Sequence, residues 1–351
     1  MFLVFAGAGA SKAVDADQYP STVEFFERLP DTVKKTQMFD LVVKMLRAHR
    51  GASTVIDIEQ VLWALGELRT FLHDVTDQRT VPGWFLKDAR LLQPVSLTTD
   101  FGNLLGNAPR VLDLVSGLMD SINLQIYDWY AHQPSHDQLE HNWLTLLRPL
   151  LLMKERVELF TTNYDLVLEI AADELSREGL PEVRTGRKGA IQRVLDQAEW
   201  VRPPRDPELP DLPGGLLTKL HGSVDFGRAP DGTIYVGDPF FKGSHDRHAI
   251  LYPGFKGVPD REPFNLFHNH LAHAVAQSAR LLFIGFAFRD EYINSLLERY
   301  TQPRAAIVVI NPAEQLPDLP YAPERIRHIR GFFEPKQIVE ALNDLGVSLA
   351  A

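Results

Sequence analysis

The chain has 351 residues, enough for two domains or for one α/β domain carrying a large insertion. Its 46 acidic against 36 basic side chains give a formal charge of -10, which argues against a protein that coats nucleic acid on its own. It contains no cysteine, so disulfides, thiolate nucleophiles and cysteine-ligated zinc or iron–sulfur sites are excluded.

The first element is expected at once. An apolar run, FLVF, leads into Ala6-Gly7-Ala8-Gly9-Ala10-Ser11, which reads as a strand turning tightly into a helix. The run is too short and lacks the basic leader of a secretory signal. Arg148, Lys154 and Arg156 interrupt the most apolar region, so no bilayer span is expected and the chain reads as cytoplasmic. Residues 31–150 read as a helical insertion. Asp57 followed by Gln60 resembles a helix start, and Ile58, Val61, Leu62, Leu65 and Leu68 recur on one helical face. Val111, Val115, Leu118 and Ile122 form a second stripe that leads to the aromatic stretch Tyr127 to Tyr130; both stripes read as core.

The sheet resumes at Val157 to Phe160. Between 180 and 260 the periodicity fades, and prolines at 203, 204, 207, 210 and 213 with Gly214-Gly215 mark an irregular module or lid. A helix is expected over 264–280, then strands at 281–284 and 305–310, which restores the α/β alternation. The expected domain is therefore 1–30 with 151–351, doubly wound around a mostly parallel, Rossmann-like sheet.

Five strand-like runs each end in a glycine or polar motif: Gly7 to Ser11; Thr161-Thr162-Asn163-Tyr164-Asp165 after VELF; His221-Gly222-Ser223 after LLTKL; Gly285 to Asp290 after LLFI; and Asn311 after AAIVVI. Ligands of open parallel sheets sit beyond the carboxyl ends of the strands, so the five loops are expected to line one pocket. Gly7, Gly9 and Ser11 have the makings of a phosphate cradle, although a tight strand-to-helix turn accounts for the same pattern. No glycine-lysine-serine or -threonine follows, which rules out a nucleoside-triphosphate P-loop. Asn163 and Asp165 are equally suited to turn capping and to ligand contact. His221 offers an imidazole that titrates near neutrality. Asp290 reads either as an N-cap or as a binding residue. Lesser candidates are a metal set from His268, His270 and His273, the group His245, Asp246 and His248, the helix-start carboxylates Asp57 and Glu59, and the cations Lys256 and Arg261.

Gly-Ala-Gly-Ala-Ser, Thr-Thr-Asn-x-Asp, Leu-His-Gly and a late Gly-x-x-x-x-Asp, in this order, resemble the sirtuin-like superfamily, with the nearest likeness to its bacterial anti-phage NAD-hydrolase branch. The resemblance covers roughly residues 1–25, 155–175, 215–226 and 280–312. It implies that Gly7, Ala8, Gly9, Ala10 and Ser11 hold the pyrophosphate of NAD, that Asn163 and Asp165, beside Thr162, meet the nicotinamide ribose and amide, and that His221 is the catalytic histidine with Asn163. Asn311 matches the position that touches the adenosine ribose, and Gly285, Phe286 and Asp290 belong to the late binding loop.

Two departures bear on the chemistry. A chain without cysteine cannot build the four-cysteine zinc module of sirtuin deacylases. The late loop, Gly285-Phe286-Ala287-Phe288, lacks the hydroxyl that usually follows the glycine, which leaves backbone contacts for a phosphate. The expected activity is zinc-independent hydrolysis of NAD to nicotinamide and ADP-ribose. By resemblance, the chain would be a bacterial defence effector, held in check through homo-oligomerisation or through a partner protein such as a DNA-translocating ATPase or an Argonaute-like protein. The alternatives are an NAD or ADP-ribose sensor without turnover, and an NAD-dependent protein deacylase.

Overall fold

The computed structural model describes residues 1–51, 55–77, 107–153, 155–189, 193–201, 214–229, 231–237, 248–252, 262–316 and 319–347. The chain divides into two compact units. One comprises Met1–Ser21, Asp128–Leu251 and Phe255–Ala351, and the other Thr22–Tyr127 with Tyr252–Gly254.

The strands of the first unit are, in chain order, β1 (Phe2–Ala6), β2 (Arg156–Thr161), β3 (Val183–Arg184), β4 (Arg187–Lys188), β5 (Val194–Leu195), β6 (Gly214–Lys219), β7 (Gly222–Arg228), β8 (Ile234–Val236), β9 (His248–Ile250), β10 (Arg280–Ile284), β11 (Ala306–Asn311) and β12 (Ile326–Arg330). Seven of them form one sheet in the order β12-β11-β10-β1-β2-β6-β3. Every ladder in it is parallel. All five residues of β1 are buried, as are Leu281 to Ile284 of β10. Continuous apolar runs are what a parallel sheet with both faces covered demands, because no face is left for polar residues.

From β1 the chain builds β2, β6 and β3 on one side, and β10, β11 and β12 on the other. The direction reverses between β1 and β10, paired through Phe2↔Arg280 to Ala6↔Ile284. That reversal is the topological switch of a doubly wound, Rossmann-like sheet. Helices Val167–Arg177, Phe264–Gln277, Glu291–Tyr300 and Pro335–Asp344 accompany the strands. The expected helix over 264–280 and the strands at 281–284 and 305–310 are present within a few residues. Strand β12 and the last helix form no part of the sequence expectation. The reason is visible in Arg327, His328 and Arg330: an edge strand carries charge that hides the alternation.

Within the region 180–260, expected to be an irregular module or lid, β3 and β6 belong to the parallel sheet, and β4, β5, β7, β8 and β9 form a second, antiparallel sheet in the order β4-β5-β8-β7-β9. Several of its strands have only two or three residues, too few to show a period of two. The prolines at 203 to 213 lie outside the described residues.

The second unit is helical where it is described, with helices Thr22–Arg28, Asp31–Lys34, Gln37–Arg50, Ile58–Thr76 and most of Ala108–Tyr130. Residues 78–106 of the expected insertion lie outside the described residues. Asp57 caps the helix Ile58–Thr76 in a reciprocal box: Gln60 N–H donates to Asp57 Oδ1 at 3.0 Å, and Asp57 N–H donates to Gln60 Oε1 at 3.3 Å. Ile58, Val61, Leu62 and Leu65 are buried behind it, as are Val115, Leu118 and Ile122 of the second stripe. Asp57→Ala removes the box and is expected to lower stability by ~1 kcal/mol in denaturant titration; an unchanged midpoint would mean that the cap is not holding this helix.

Candidate active site

The loops after β1 and β10 meet at the switch point. Gly7 N–H donates to Ile284 O at 2.9 Å, Gly9 N–H donates to Gly285 O at 3.1 Å, and Gly285 N–H donates to Ile310 O at 2.9 Å. This backbone seam has no room for side chains. A Cβ on Gly7 would lie 2.6 Å from Gly285 O, one on Gly9 2.8 Å from Gly285 Cα, and one on Gly285 2.4 Å from Ala10 N. Gly285 also has φ +57, in the left-handed region. The glycines that the sequence offers to a phosphate are thus used first to seat one loop on the other. Of the five residues from Gly7 to Ser11, Ala8 is exposed and Gly9 half-buried.

The loop after β2 is tied to this seam. Asn163 Nδ2 donates to Gly7 O at 2.9 Å and to Ser11 Oγ at 2.8 Å. Asp165 is buried; its Oδ1 accepts from Val167 N–H at 3.1 Å, and its carboxyl also bonds Ser11. Burial pushes the Asp165 carboxyl up, against the pull of Lys219, Ser11 and the backbone amides. Thr162 continues the ladder through its N–H to Ala6 O at 3.4 Å.

The loop after β6 lies alongside the loop after β2. Leu220 N–H donates to Thr161 O at 2.9 Å, Val224 N–H to Tyr164 O at 2.9 Å, and Ser223 Oγ to Tyr164 O at 3.4 Å. His221 and Asn163 therefore sit on adjoining segments of chain. His221 is buried, and its Nδ1 has no hydrogen-bond partner among the described residues. Its Nε2 lies 3.3 Å from Asp290 Oδ2, at ion-pair distance but outside hydrogen-bond alignment.

Asp290 takes the N-cap role and makes a contact with His221 that the sequence did not announce. It caps the helix Glu291–Tyr300 by accepting Ile293 N–H at 2.9 Å on Oδ1, and it turns Oδ2 to His221. Burial works to raise its carboxyl, yet the contact with His221, the Ile293 amide and His268 bring it below the ordinary carboxylate range. The last motif closes the ring of loops: Asn311 Nδ2 donates to Phe286 O at 3.1 Å. The Phe286 side chain points into the core, 4.5 Å from Phe5 and 4.8 Å from Phe288 between ring centroids, and its carbonyl is taken by Asn311.

Two groups at the site escape sequence reasoning. Lys219, at the end of β6, is buried and reaches Asp165 O and Glu169 Oε1, the latter at 3.0 Å. Arg187 bridges the same Glu169 oxygen at 3.1 Å and Asp225 Oδ2 at 2.9 Å. Burial pushes Glu169 up while the two cations oppose it. The one available signal is a lysine inside the otherwise apolar run LLTKL. The second group is His268, whose ring lies 6.3 Å from that of His221 at an interplanar angle of 23°. Its Nδ1 lies 2.8 Å from Phe264 O, one turn back in its helix, and burial lowers its pKa to about 4.

His270 instead pairs with the buried Glu158 at 2.9 Å, and His273 meets Gln277. Among the described residues no group of three or more His, Asp or Glu could hold a metal ion. His245, Asp246, Lys256 and Arg261 lie outside the described residues, and so does the side chain of His248. No described helix is long and apolar enough to cross a membrane.

Residues 157–319 match the family model of the SIR2-like domain. The SIR2-like segment contains four of the five motifs and begins downstream of Gly7 to Ser11. Among solved structures, a mutant Sir2 homologue in complex with 2′-O-acetyl ADP ribose is 13% identical with a TM-score of 0.41, covering 99% of this chain and 94% of the other. A Sir2 homologue mutant–ADP ribose complex is 14% identical with a TM-score of 0.39, covering 99% and 95%. A Sir2 homolog–NAD complex is 12% identical with a TM-score of 0.39, covering 98% and 90%. Comparison with curated protein sequences gives no match. The fold assignment stands on the strand order and the parallel ladders themselves.

Two outcomes test this site. Gly285→Ala forces a Cβ into the backbone of residues 9 and 10 at a positive φ, and is expected to destabilise the chain by about 2 kcal/mol or more; an unchanged melting temperature would contradict the seam. For His268, the folded value of about 4 against an ordinary 6.5 means that the unfolded chain binds the extra proton between those values. Stability is therefore expected to fall as pH drops from 6.5 to 4, by about 3 kcal/mol. His268→Leu should flatten that part of the acid-denaturation curve, and an unaltered slope would contradict a buried neutral ring.

Proposed function

We propose that the chain hydrolyses NAD to nicotinamide and ADP-ribose without zinc. The observation that carries the reading is the ring of loop contacts at the switch point: Asn163 bonds the glycine turn, its segment adjoins that of His221, and His221 meets the late loop at Asp290. The match of residues 157–319 to the SIR2-like domain supports the choice of NAD.

The chemistry asks little of the protein. Nicotinamide leaves a pyridinium as a neutral molecule, so no general acid has to protonate it, unlike an ordinary glycoside with its two carboxyl groups. What remains is to hold an oxocarbenium-like ribose and to deliver water. Both hydrogens of Asn163 Nδ2 are committed, to Gly7 O and Ser11 Oγ, so the group it offers outward is the acceptor Oδ1. An acceptor orients a water or a ribose hydroxyl by taking its hydrogen. His221 Nδ1 accepts the proton that water or the ribose hydroxyl gives up. Asp165, bonded to Ser11 and the Val167 amide, holds Ser11 and through it the amide of Asn163. The exposed Ala8 and half-buried Gly9 of the Gly7 to Ser11 turn, with the late loop at Phe286, meet the pyrophosphate; Gly285, whose N–H and carbonyl are both spent, serves by seating that loop, and Asn311 supports the adenosine side of the crevice. Thr162 lines its edge.

The proposal extends to the setting. The order of the motifs supports a bacterial anti-phage effector, cytoplasmic and released to act by homo-oligomerisation or by a partner such as a DNA-translocating ATPase or an Argonaute-like protein. The test is nicotinamide release measured by chromatography, for the chain alone and with candidate partners. Asn163→Ala and His221→Ala are each expected to lower turnover by about 10²-fold or more while the chains still melt cooperatively, Asn163→Ala at a lower temperature because it gives up its bonds to Gly7 and Ser11. Equal activity in the variants would remove these residues from the mechanism. Tight NAD binding in calorimetry with no release in any assembly would identify a sensor instead.

A further inference from the structure

We propose that Asp290 is a positioning residue for His221, fixing Nε2 as the protonated nitrogen and thereby leaving Nδ1 as the proton acceptor. This rests on the reading of His221 as the base, and it gives Asp290 a role other than contact with the dinucleotide.

The geometry carries it in three steps. First, the carboxylate is itself immobilised. Oδ1 is held by Ile293 N–H at 2.9 Å as the helix cap, so Oδ2 cannot rotate freely and stays 3.3 Å from His221 Nε2. Second, the loop that delivers Asp290 is turned by Phe288, the one described non-glycine residue with positive φ, at 54°. Its ring is fully buried, 5.1 Å from Phe283, and Asn294 Nδ2 donates to its carbonyl at 2.6 Å. Strain of this kind persists only where the surroundings over-determine it, as they do here through the ring and the amide. Third, the other nitrogen is buried and unpaired among the described residues. His221 is buried and its Nδ1 has no partner among the described residues, so nothing in the described structure competes for that lone pair.

His268 forms the wall behind the ring. Its Nδ1 is tied to Phe264 O, and Tyr292 packs against it at 5.4 Å between centroids. Burial, which lowers its pKa to about 4, keeps this second imidazole neutral near pH 7, so it places no cation beside His221. Among the described residues, the Asp290 carboxylate and the neutral His268 face His221, and Tyr292 packs against His268. A carboxylate at one ring nitrogen selects the tautomer with the proton on that nitrogen and directs the base at the other. It also supports the imidazolium that forms when Nδ1 takes a proton.

The test uses the full chain and the variants Asp290→Asn and Asp290→Glu. Asparagine caps helices as well as aspartate, so the helix Glu291–Tyr300 is kept. The first readout needs no turnover: nitrogen-15 histidine spectra of the ligand-free protein, with the His221 signals identified by their loss in His221→Gln. Wild type is expected to show the Nε2–H tautomer, and Asp290→Asn a mixed or reversed population. The second readout is nicotinamide release, in which Asp290→Asn is expected to lose about 10²-fold in kcat with KM within about threefold, and Asp290→Glu to recover part of that loss. An unaltered His221 tautomer in Asp290→Asn, or an unaltered kcat, overturns the proposal. Absence of nicotinamide release by wild type would instead defeat the assigned reaction, and the tautomer spectra would still decide what Asp290 does.

Discussion

The site is organised around a contact between two stretches of backbone that no side chain separates. Gly7 and Gly9 on one loop and Gly285 on the other approach so closely that a single methyl group at any of the three would overlap main-chain atoms. Because β1 and β10 flank the reversal of strand order, this seam fixes the two loops that every other part of the site is built upon. Asn163 is anchored to one side of it, through Gly7 and Ser11, and Asn311 to the other, through Phe286. The late loop then carries Asp290 to His221, and the segment holding His221 returns alongside that of Asn163. Each loop is thereby held by at least one neighbour, which is the preorganisation that the proposed reaction, with few chemical groups, requires.

The polar residues at the site spend only part of their bonding capacity on holding the backbone. Asn163 commits its amide hydrogens and keeps an oxygen; Asp290 commits one oxygen to a helix and turns the other to an imidazole. Beneath them Lys219, Glu169, Arg187 and Asp225 join the end of β6 to the helix Val167–Arg177 and to the antiparallel sheet. Such a buried network is costly to desolvate unless its members are paired, and removal of one partner strands the others. Its position directly before His221 ties the second sheet to the site.

Much of this was legible in the sequence. The strands β1, β2, β6, β10 and β11 announce themselves as apolar runs, and the glycine or polar residue after each marks where a strand ends in a loop. The capping box at Asp57 was equally plain, since its residue types and spacing are local. What stayed hidden depends on partners distant in the chain. No pattern around residue 268 says that its ring stacks near that of residue 221, and none around 187 or 225 says that both meet Glu169. The short strands β4, β5 and β8 were invisible for another reason: two or three residues are too few to display a period. Nor could sequence tell that the glycine turn would be pressed against a second loop, because the same pattern suits an open anion cradle.

The most direct measurement of the central claim is a structure of the chain with bound NAD or a slowly hydrolysed analogue. The dinucleotide is expected in the crevice at the carboxyl ends of β1 and β10, with the carbon that bears nicotinamide, its ribose hydroxyls or the attacking water within about 3.5 Å of Asn163 Oδ1 and His221 Nδ1. A dinucleotide bound elsewhere, or one that leaves either side chain out of reach of the reacting ribose, would contradict that claim.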